Sequence, residues 1–237
     1  MVEKRSLLYE GKAKKLYTTD SPDVLWVEYL DQATAFDGLK KDKIEGKAEL
    51  NNQISARIFK RLARAGVPSH FVKQLSDTEQ LVSRVEIIPL EVVVRNKATG
   101  SLTKRLGIPS GTALDQPLVE FFYKDDALGD PLITDDHIRL LELASDDEVA
   151  ELRRQALVVN EQLQALFKDV GIELIDFKIE FGRTKDGQIL LADEVSPDTA
   201  RLWDFETGAQ LDKDVYRHEL GDLTSVYQVV LDRLTEN

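Results

Sequence analysis

The sequence predicts a mixed protein of antiparallel strands and amphipathic helices, and three observations carry that expectation. Residues 175–181 alternate Ile175, Phe177, Ile179 and Phe181 with Asp176, Lys178 and Glu180, the period of two that marks a strand with one buried face. Asp186-Gly187 follows as a two-residue turn signal, so this strand is expected to fold back as a hairpin. Elsewhere the period becomes helical, most clearly in Val149, Leu152, Ala156, Val159, Leu163 and Leu166. At 237 residues and 42% hydrophobic, the chain can bury a proper core, in one large domain or two intimately packed lobes.

Charge and composition narrow the functional classes. A net charge of -12 disfavours general nucleic-acid or membrane-surface binding, which calls for a basic stripe. No apolar run approaches bilayer length, and residues 1–11 lack the apolar core of a signal peptide, so a cytoplasmic protein is expected. With no cysteine, disulfides, thiolate nucleophiles and thiolate metal sites are excluded.

Taken in order, residues 9–17 place Gly11, Lys12, Lys14 and Lys15 between short apolar stretches, and an apolar run at 24–29 follows a Ser-Pro-Asp turn. This predicts antiparallel strands joined by a tight basic turn. It is not the G-x-x-x-x-G-K-[ST] phosphate loop, although Lys12 and Lys14 can grip phosphates as point charges. Residues 34–38 read as a turn with one acid, and the charged stretch 40–47 as a loop suited to a lid. Leu50, Ile54, Ile58 and Leu62 recur at helical spacing over 48–65, with Gly66 and Pro68 as the stop.

Residues 76–85 read as a further strand. Residues 86–89, ending in Pro89, are expected to break it as a hinge between lobes before the next strand at 90–95, where Glu91, Val93 and Arg95 share a face. A Gly-containing turn at 96–101 opens a short helix, 102–106, ended by Gly107. Its free N-H groups, flanked by Arg95, Lys97, Lys104 and Arg105, suit a phosphate monoester, and an ordinary basic surface turn fits equally well. The segment 121–131 is irregular. Ser145 and Glu148 form a capping box opening the long helix that ends at Gly171. Helices over 212–220 and 222–234 close the chain, and His70, His137 and His218 have no metal-ligand spacing.

Chemistry concentrates in 175–204. Counting outward from Asp186-Gly187 sets Glu180 opposite Asp193, and facing carboxylates repel unless a cation lies between them. Oxygen-only ligands favour magnesium or manganese over zinc. The competing reading makes Asp176, Lys178 and Glu180 a self-neutralised solvent face of an edge strand. It loses ground because Glu194, Ser196, Asp198, Arg201 and Asp204 follow so closely.

The segments GKAKKLY, VVVRNKATGSLTKRLG, DFKIEFG and DEVSPDTARLWD, in that order, closely resemble the SAICAR synthetase family over essentially the whole chain. The resemblance implies a two-lobed α+β fold related to ATP-grasp and kinase architectures, with residues 1–86 as one lobe and 87–237 as the other. It implies a ligase of purine biosynthesis that joins carboxyaminoimidazole ribonucleotide to L-aspartate, using ATP and magnesium, and it implies a homodimer. By match of motif, Gly11, Lys12, Ala13 and Lys14 form the ATP-phosphate turn, and Glu86 and Ile87 meet adenine. Glu180 and Asp193 become magnesium ligands, and Glu91, Arg95, Ser101 and Arg201 a ribonucleotide site. Lys178, Asp176 and Lys12 fall beside the reacting groups, and Asp37 and Lys47 in the aspartate and phosphate region. The chain departs from the family pattern at Ala48 and Thr99.

With no cysteine and no placed histidine, activation is expected on the substrate carboxylate itself, through an acyl phosphate attacked by the aspartate amine. A small-molecule kinase and a non-catalytic nucleotide-binding module are the alternatives.

Overall fold

The structure, a computed structural model, describes residues 2–35 and 40–235. Asp37 lies outside them. Strands β1 (Lys4–Glu10), β2 (Lys14–Thr19) and β3 (Val24–Tyr29) open the chain as an antiparallel meander. A hairpin of β4 (Gln32–Ala35) and β5 (Lys40–Lys43) leads into helix α1 (Lys47–Arg64). Strands β6 (Phe71–Gln74) and β7 (Glu79–Ser83) complete a five-stranded sheet in the order β1-β2-β3-β7-β6.

A larger antiparallel sheet follows. It begins with β8 (Glu86–Lys97), helix α2 (Gly100–Leu106), β9 (Ala113–Tyr123) and β10 (Leu132–Ile133). Helices α3 (Asp135–Leu140) and α4 (Asp146–Asp169) then deliver the chain to β11 (Ile172–Arg183), β12 (Ile189–Ala192) and β13 (Ala200–Asp204), and α5 (Asp214–Arg217) and α6 (Leu223–Thr235) close it. The order is β10-β9-β8-β11-β12, with β13 also on β11, so the sequence expectation of an α+β protein with antiparallel sheets is borne out.

Helix α4 forms as the sequence dictates. Ser145 accepts from the Glu148 N-H while the Glu148 carboxylate accepts from the Ser145 N-H, satisfying two donors at the helix start. Its stripe from Val149 to Leu163 is buried with Ile54, Ile58 and Leu62 of α1 and Tyr227 and Val230 of α6 against the second sheet, in one core. Leu25, Val27, Tyr29, Ala48 and Val82 form a smaller core on the first sheet.

Several local expectations fail for identifiable reasons. Pro89 does not end a strand: β8 runs through it, and the register with β11 slips between Gly182 opposite Ile87 and Glu180 opposite Glu91. A bulge is where a sheet accommodates a residue without an N-H. The charged stretch 40–47 is not an open loop, because 40–43 pair with β4 and Lys47 is the enclosed first residue of α1. The helix expected over 212–220 shrinks to α5, four residues long.

The 175–181 strand is buried on both faces rather than one, since Asp176 and Glu180 are only 3% exposed. Nor do Glu180 and Asp193 face one another directly. The turn has three residues, Lys185-Asp186-Gly187, closed by Thr184 and Gln188, with Gly187 at φ 81; Glu180 therefore opposes Ala192.

Arg183 at the end of β11 grips Glu148 through Nε at 2.5 Å and Nη2 at 3.1 Å, tying the sheet to the start of α4. Arg183 and the Ser145 N-H pull the Glu148 carboxyl down to about 2. The stabilisation is complete above the ordinary carboxyl range near 4.5 and is lost as pH falls toward 2. Glu148→Gln should cost about 1 kcal/mol at neutral pH after solvent screening, with the difference from the parent vanishing in acid. Urea midpoints measured across that range check it.

Candidate active site

Residues 176, 178 and 180 of β11 share one face, spaced about 7 Å apart by the strand repeat. Pairing with β8 sets Arg95, Val93 and Glu91 beside them in that order. Asp176 also pairs with Arg201 on β13, so one buried carboxylate lies between two cross-strand arginines. Arg95 Nη1 donates to Asp176 Oδ2 at 3.0 Å, and Arg201 Nη1 reaches both oxygens at 3.0 and 3.1 Å. Thr99 Oγ1 adds a bond of 2.6 Å to the same carboxylate.

Arg95 and Arg201 are held elsewhere too. Arg95 reaches Glu120 at 2.6 Å and Ser101 Oγ at 3.1 Å, and Arg201 Nε donates to Asp214 at 2.7 Å. Arg105 also pairs with Glu120. The buried Arg95 is therefore no free end of an exposed phosphate turn, as the motif alone suggested. It ties α2 to the sheet and aligns Ser101.

A second cluster gathers around Lys178. Its ammonium lies 2.7 Å from Glu180, 3.3 Å from Glu91 and 3.6 Å from Asp193, and Lys124 reaches Glu180 at 2.8 Å. Asp193 arrives by a route the hairpin count missed. Strand β12 ends at Ala192, and Asp193 takes a left-handed φ of 57, turning the chain off the strand. Lys14 then pairs with Asp193 and lies 3.4 Å from Glu194. Burial works against the Lys14 and Lys178 ammoniums, but these carboxylates outweigh it and hold both above their ordinary value. Burial also opposes the Asp193 carboxylate, yet Lys14 and Lys178 hold it well below the usual range.

Asp193 and Glu180 thus converge on one ammonium, a position that suits a cation. Among the described residues no set of three or more acidic, histidine or cysteine side chains could hold a metal alone. Two carboxylates suffice where substrate phosphates complete the shell, which is how magnesium is commonly bound.

These groups line a cleft of about 720 Å³. Leu16, Leu25, Val27, Val82, Val85 and Ile87 supply apolar wall for a flat ring, and Gly11, Lys12, Ala13 and Lys14 the basic turn. Glu91, Lys178, Glu180 and Asp193 line the same space. Glu86, Arg95, Ser101, Asp176, Arg201 and Lys47 are not on its wall. Lys47 is fully enclosed, its Nζ 2.5 Å from Asp198, so it acts on the cleft only through that aspartate.

Sequence reasoning assigned no site role to Lys124, His70, Thr199, Lys213 or Arg217, all of which line the cleft. None lies in a spacing pattern that marks it. His70 Nε2 donates to the Asp193 carbonyl at 3.0 Å, and burial pushes the ring down to about 4, so it is neutral.

A family profile described as SAICAR synthetase matches residues 7–234. The chain belongs to the SAICAR synthetase family. It is 62% identical over 231 residues to the phosphoribosylaminoimidazole-succinocarboxamide synthase of Lysinibacillus sphaericus (strain C3-41), covering 98% of each chain. Among solved structures, the corresponding synthase from Ehrlichia chaffeensis superposes with a TM-score of 0.95 at 41% identity, covering 97% of this chain and 98% of that one. A SAICAR synthetase in complex with ADP superposes at 0.94 with 47% identity, covering 97% of each. The α+β SAICAR synthetase-like fold implied by the motifs is therefore the one observed.

Beside the Asp176 cluster, Gly100 must stay bare. An added Cβ would lie 2.9 Å from Arg201 Nη2, and the backbone there has φ 53. Arg201 is pinned by Asp176 and Asp214 and has nowhere to retreat. Gly100→Ala should lower stability by about 1–2 kcal/mol, read as a shift in the urea midpoint; an unchanged midpoint would show Arg201 to be free to move.

Proposed function

We propose that this chain is an ATP-dependent C-N ligase that condenses carboxyaminoimidazole ribonucleotide with L-aspartate, releasing SAICAR, ADP and phosphate. Family membership supports the reaction. The carrying observation in the molecule is the face of β11, where one strand sets an arginine-bound aspartate, a lysine and a glutamate in a row, the lysine and the glutamate on the wall of the cleft. No nucleic acid and no membrane surface are expected as partners, on the acidic charge. Among the described residues, no helix is long and apolar enough to cross a membrane. Cytoplasmic placement and a homodimer belong to the same proposal, the latter checked by light scattering.

In this reading the base of ATP lies against the apolar wall near Glu86 and Ile87, and the phosphates meet Gly11, Lys12, Ala13 and Lys14. Lys12, 2.7 Å from Asp126 across the cleft mouth, exchanges that exposed partner for phosphate. Glu180 and Asp193 would hold magnesium, or manganese, which neutralises phosphate charge when bound. Arg95, Ser101, Arg201 and Glu91 orient the ribonucleotide, with Asp176 fixing both arginines. Asp37 and Lys47 are assigned to the aspartate region, Lys47 through Asp198.

The γ-phosphoryl group moves to the ribonucleotide carboxylate, forming an acyl phosphate, and the aspartate nitrogen then displaces phosphate. Lys178 stands between the acids on the cleft wall and stays charged there, so it can stabilise the developing negative oxygen of both steps. Catalysis is chiefly positioning and electrostatics.

The test is ADP release with magnesium-ATP, ribonucleotide and L-aspartate, omitting each in turn and identifying the imidazole product by mass. Turnover should require all three. Aspartate-independent release of a stable phosphorylated acceptor would instead make the protein a kinase. Glu180→Gln or Asp193→Asn should lower turnover by at least about 100-fold in a folded protein; near-normal activity in either would remove it from the metal site.

A further inference from the structure

The aspartate amine enters the proposed reaction as an ammonium and cannot attack until it loses a proton, yet the residues placed so far offer no acceptor. Asp193, Glu180, Glu91 and Glu194 each lie within ion-pair distance of Lys14 or Lys178, and Lys14, Lys124 and Lys178 are held protonated by these carboxylates.

Lys213 differs from these. It lines the cleft beside Asp198, Thr199 and Arg217, its side chain 14% exposed. Its backbone is fixed on both sides: its N-H donates to the Pro197 carbonyl at 3.0 Å, and its own carbonyl accepts from Tyr216 and Arg217 at 3.0 Å each. Among the described residues, only Asp198 lies within ion-pair distance of Nζ, at 3.5 Å, beyond close hydrogen bonding. That carboxylate is already claimed by Lys47 on the same oxygen at 2.5 Å and by Tyr227 OH on the other at 2.5 Å.

We propose that Lys213 is the group that takes the proton from the ammonium of the incoming amino acid. The inference rests on the ligase reading above. The neutral Nζ accepts one proton from the aspartate ammonium, and the freed lone pair attacks the acyl-phosphate carbon. The C-N bond forms, the C-O bond to phosphorus breaks with its electron pair leaving on phosphate, and the second proton departs from nitrogen to that phosphate or to water.

The surroundings favour this role. Burial lowers the Lys213 ammonium; Asp198 and Glu194 act against that, while Lys47 and Arg217 reinforce it, and the net position is below the ordinary lysine value. Those four are the charged groups acting on it from helix α1, the 193–199 loop and α5. Tyr227 of α6 meets it only through Asp198. A lysine so placed gives up its proton more readily than Lys14, Lys124 or Lys178, which their carboxylates hold above the ordinary value, and that is the direction a general base requires.

The test uses Lys213→Arg, which retains the charge but no longer ionises, in the full chain with magnesium-ATP and ribonucleotide. Hydroxylamine, already neutral at neutral pH, replaces aspartate in a parallel assay and traps the acyl phosphate as a hydroxamate without needing a base. The variant should lose about 100-fold in kcat with aspartate, and the rise of the parent kcat toward alkaline pH should disappear, while hydroxamate formation persists. A parent-like kcat and pH profile would overturn the proposal. So would a raised KM for aspartate at unchanged kcat, the mark of a charge anchor, or loss of hydroxamate together with aspartate turnover. Lys213→Gln with added ethylamine provides a second readout: restored aspartate turnover supports the role, and no restoration counts against it. If the parent forms neither product nor hydroxamate, the ligase reading itself fails.

Discussion

The polar face of β11 is the constraint on which the rest of the molecule depends. Asp176 and Glu180 are nearly enclosed, and an uncompensated buried charge costs several kcal/mol. Each must therefore be met by a cation from a neighbouring element. Arg95 comes from β8 and Arg201 from β13 for Asp176, and Lys124 from the end of β9 joins Lys178 at Glu180. Strand pairing does most of this placement, because Arg95 and Arg201 are the register partners of Asp176 on either side. The fold and the site are in that sense one requirement: a slip of one residue would turn the charges into the apolar core without partners and set Phe177 and Ile179 among the arginines and lysines.

The same requirement reconciles an acidic protein with anionic substrates. A net charge of -12 resides largely on surface carboxylates, and at a Debye length of about 8 Å they are screened from the cleft. Inside, Lys14, Lys124 and Lys178 remain charged because Asp193, Glu194 and Glu180 hold them so. In the proposed reaction an arriving phosphate would find ammonium groups already desolvated. Its entry would compete with carboxylates at Lys14 and Lys178, and a divalent cation held by those carboxylates would relieve the competition.

How much of this was legible in the sequence depends on the range of the interaction. Local signals read well: the capping box at Ser145, the stripe of α4, the stop at Gly66 and the alternation in β11 each depend on neighbours within a few residues. The hairpin register failed by one because Asp-Gly also serves a three-residue loop with the glycine left-handed. The acids Glu180 and Asp193 were legible as a pair by count, but they meet because Asp193 turns the chain off β12, which the count did not contain. Pro89 was misread because a proline tolerated at a bulge looks in sequence like one that ends a strand. Lys124 and Lys213 carried no pattern, since their positions are set by elements far away in the chain. Thr99 was visible only as a departure from the motif; its hydroxyl adds a donor to Asp176.

The 193–199 loop explains why both ends of the chain reach the site. It links β12 to β13, which lie along the same edge of β11, and so must cross beside Lys178; the Lys178 N-H donates to the Thr199 carbonyl at 2.7 Å where it does. A loop with three acids in seven residues would repel itself unless fixed from outside. Lys14 fixes Asp193 from the first sheet, Lys47 fixes Asp198 from the start of α1, and Tyr227 fixes the other Asp198 oxygen from α6. Burial opposes the Asp198 carboxylate, but Lys213 in its resting ammonium form, Lys47 and the Tyr227 hydroxyl prevail and hold it ionised. Helices α1 and α6 share the core beneath, so Lys47 and Tyr227 cannot move independently of one another. The last helix thus stands one residue behind the candidate site, reaching the cleft through the bond from Tyr227 to Asp198.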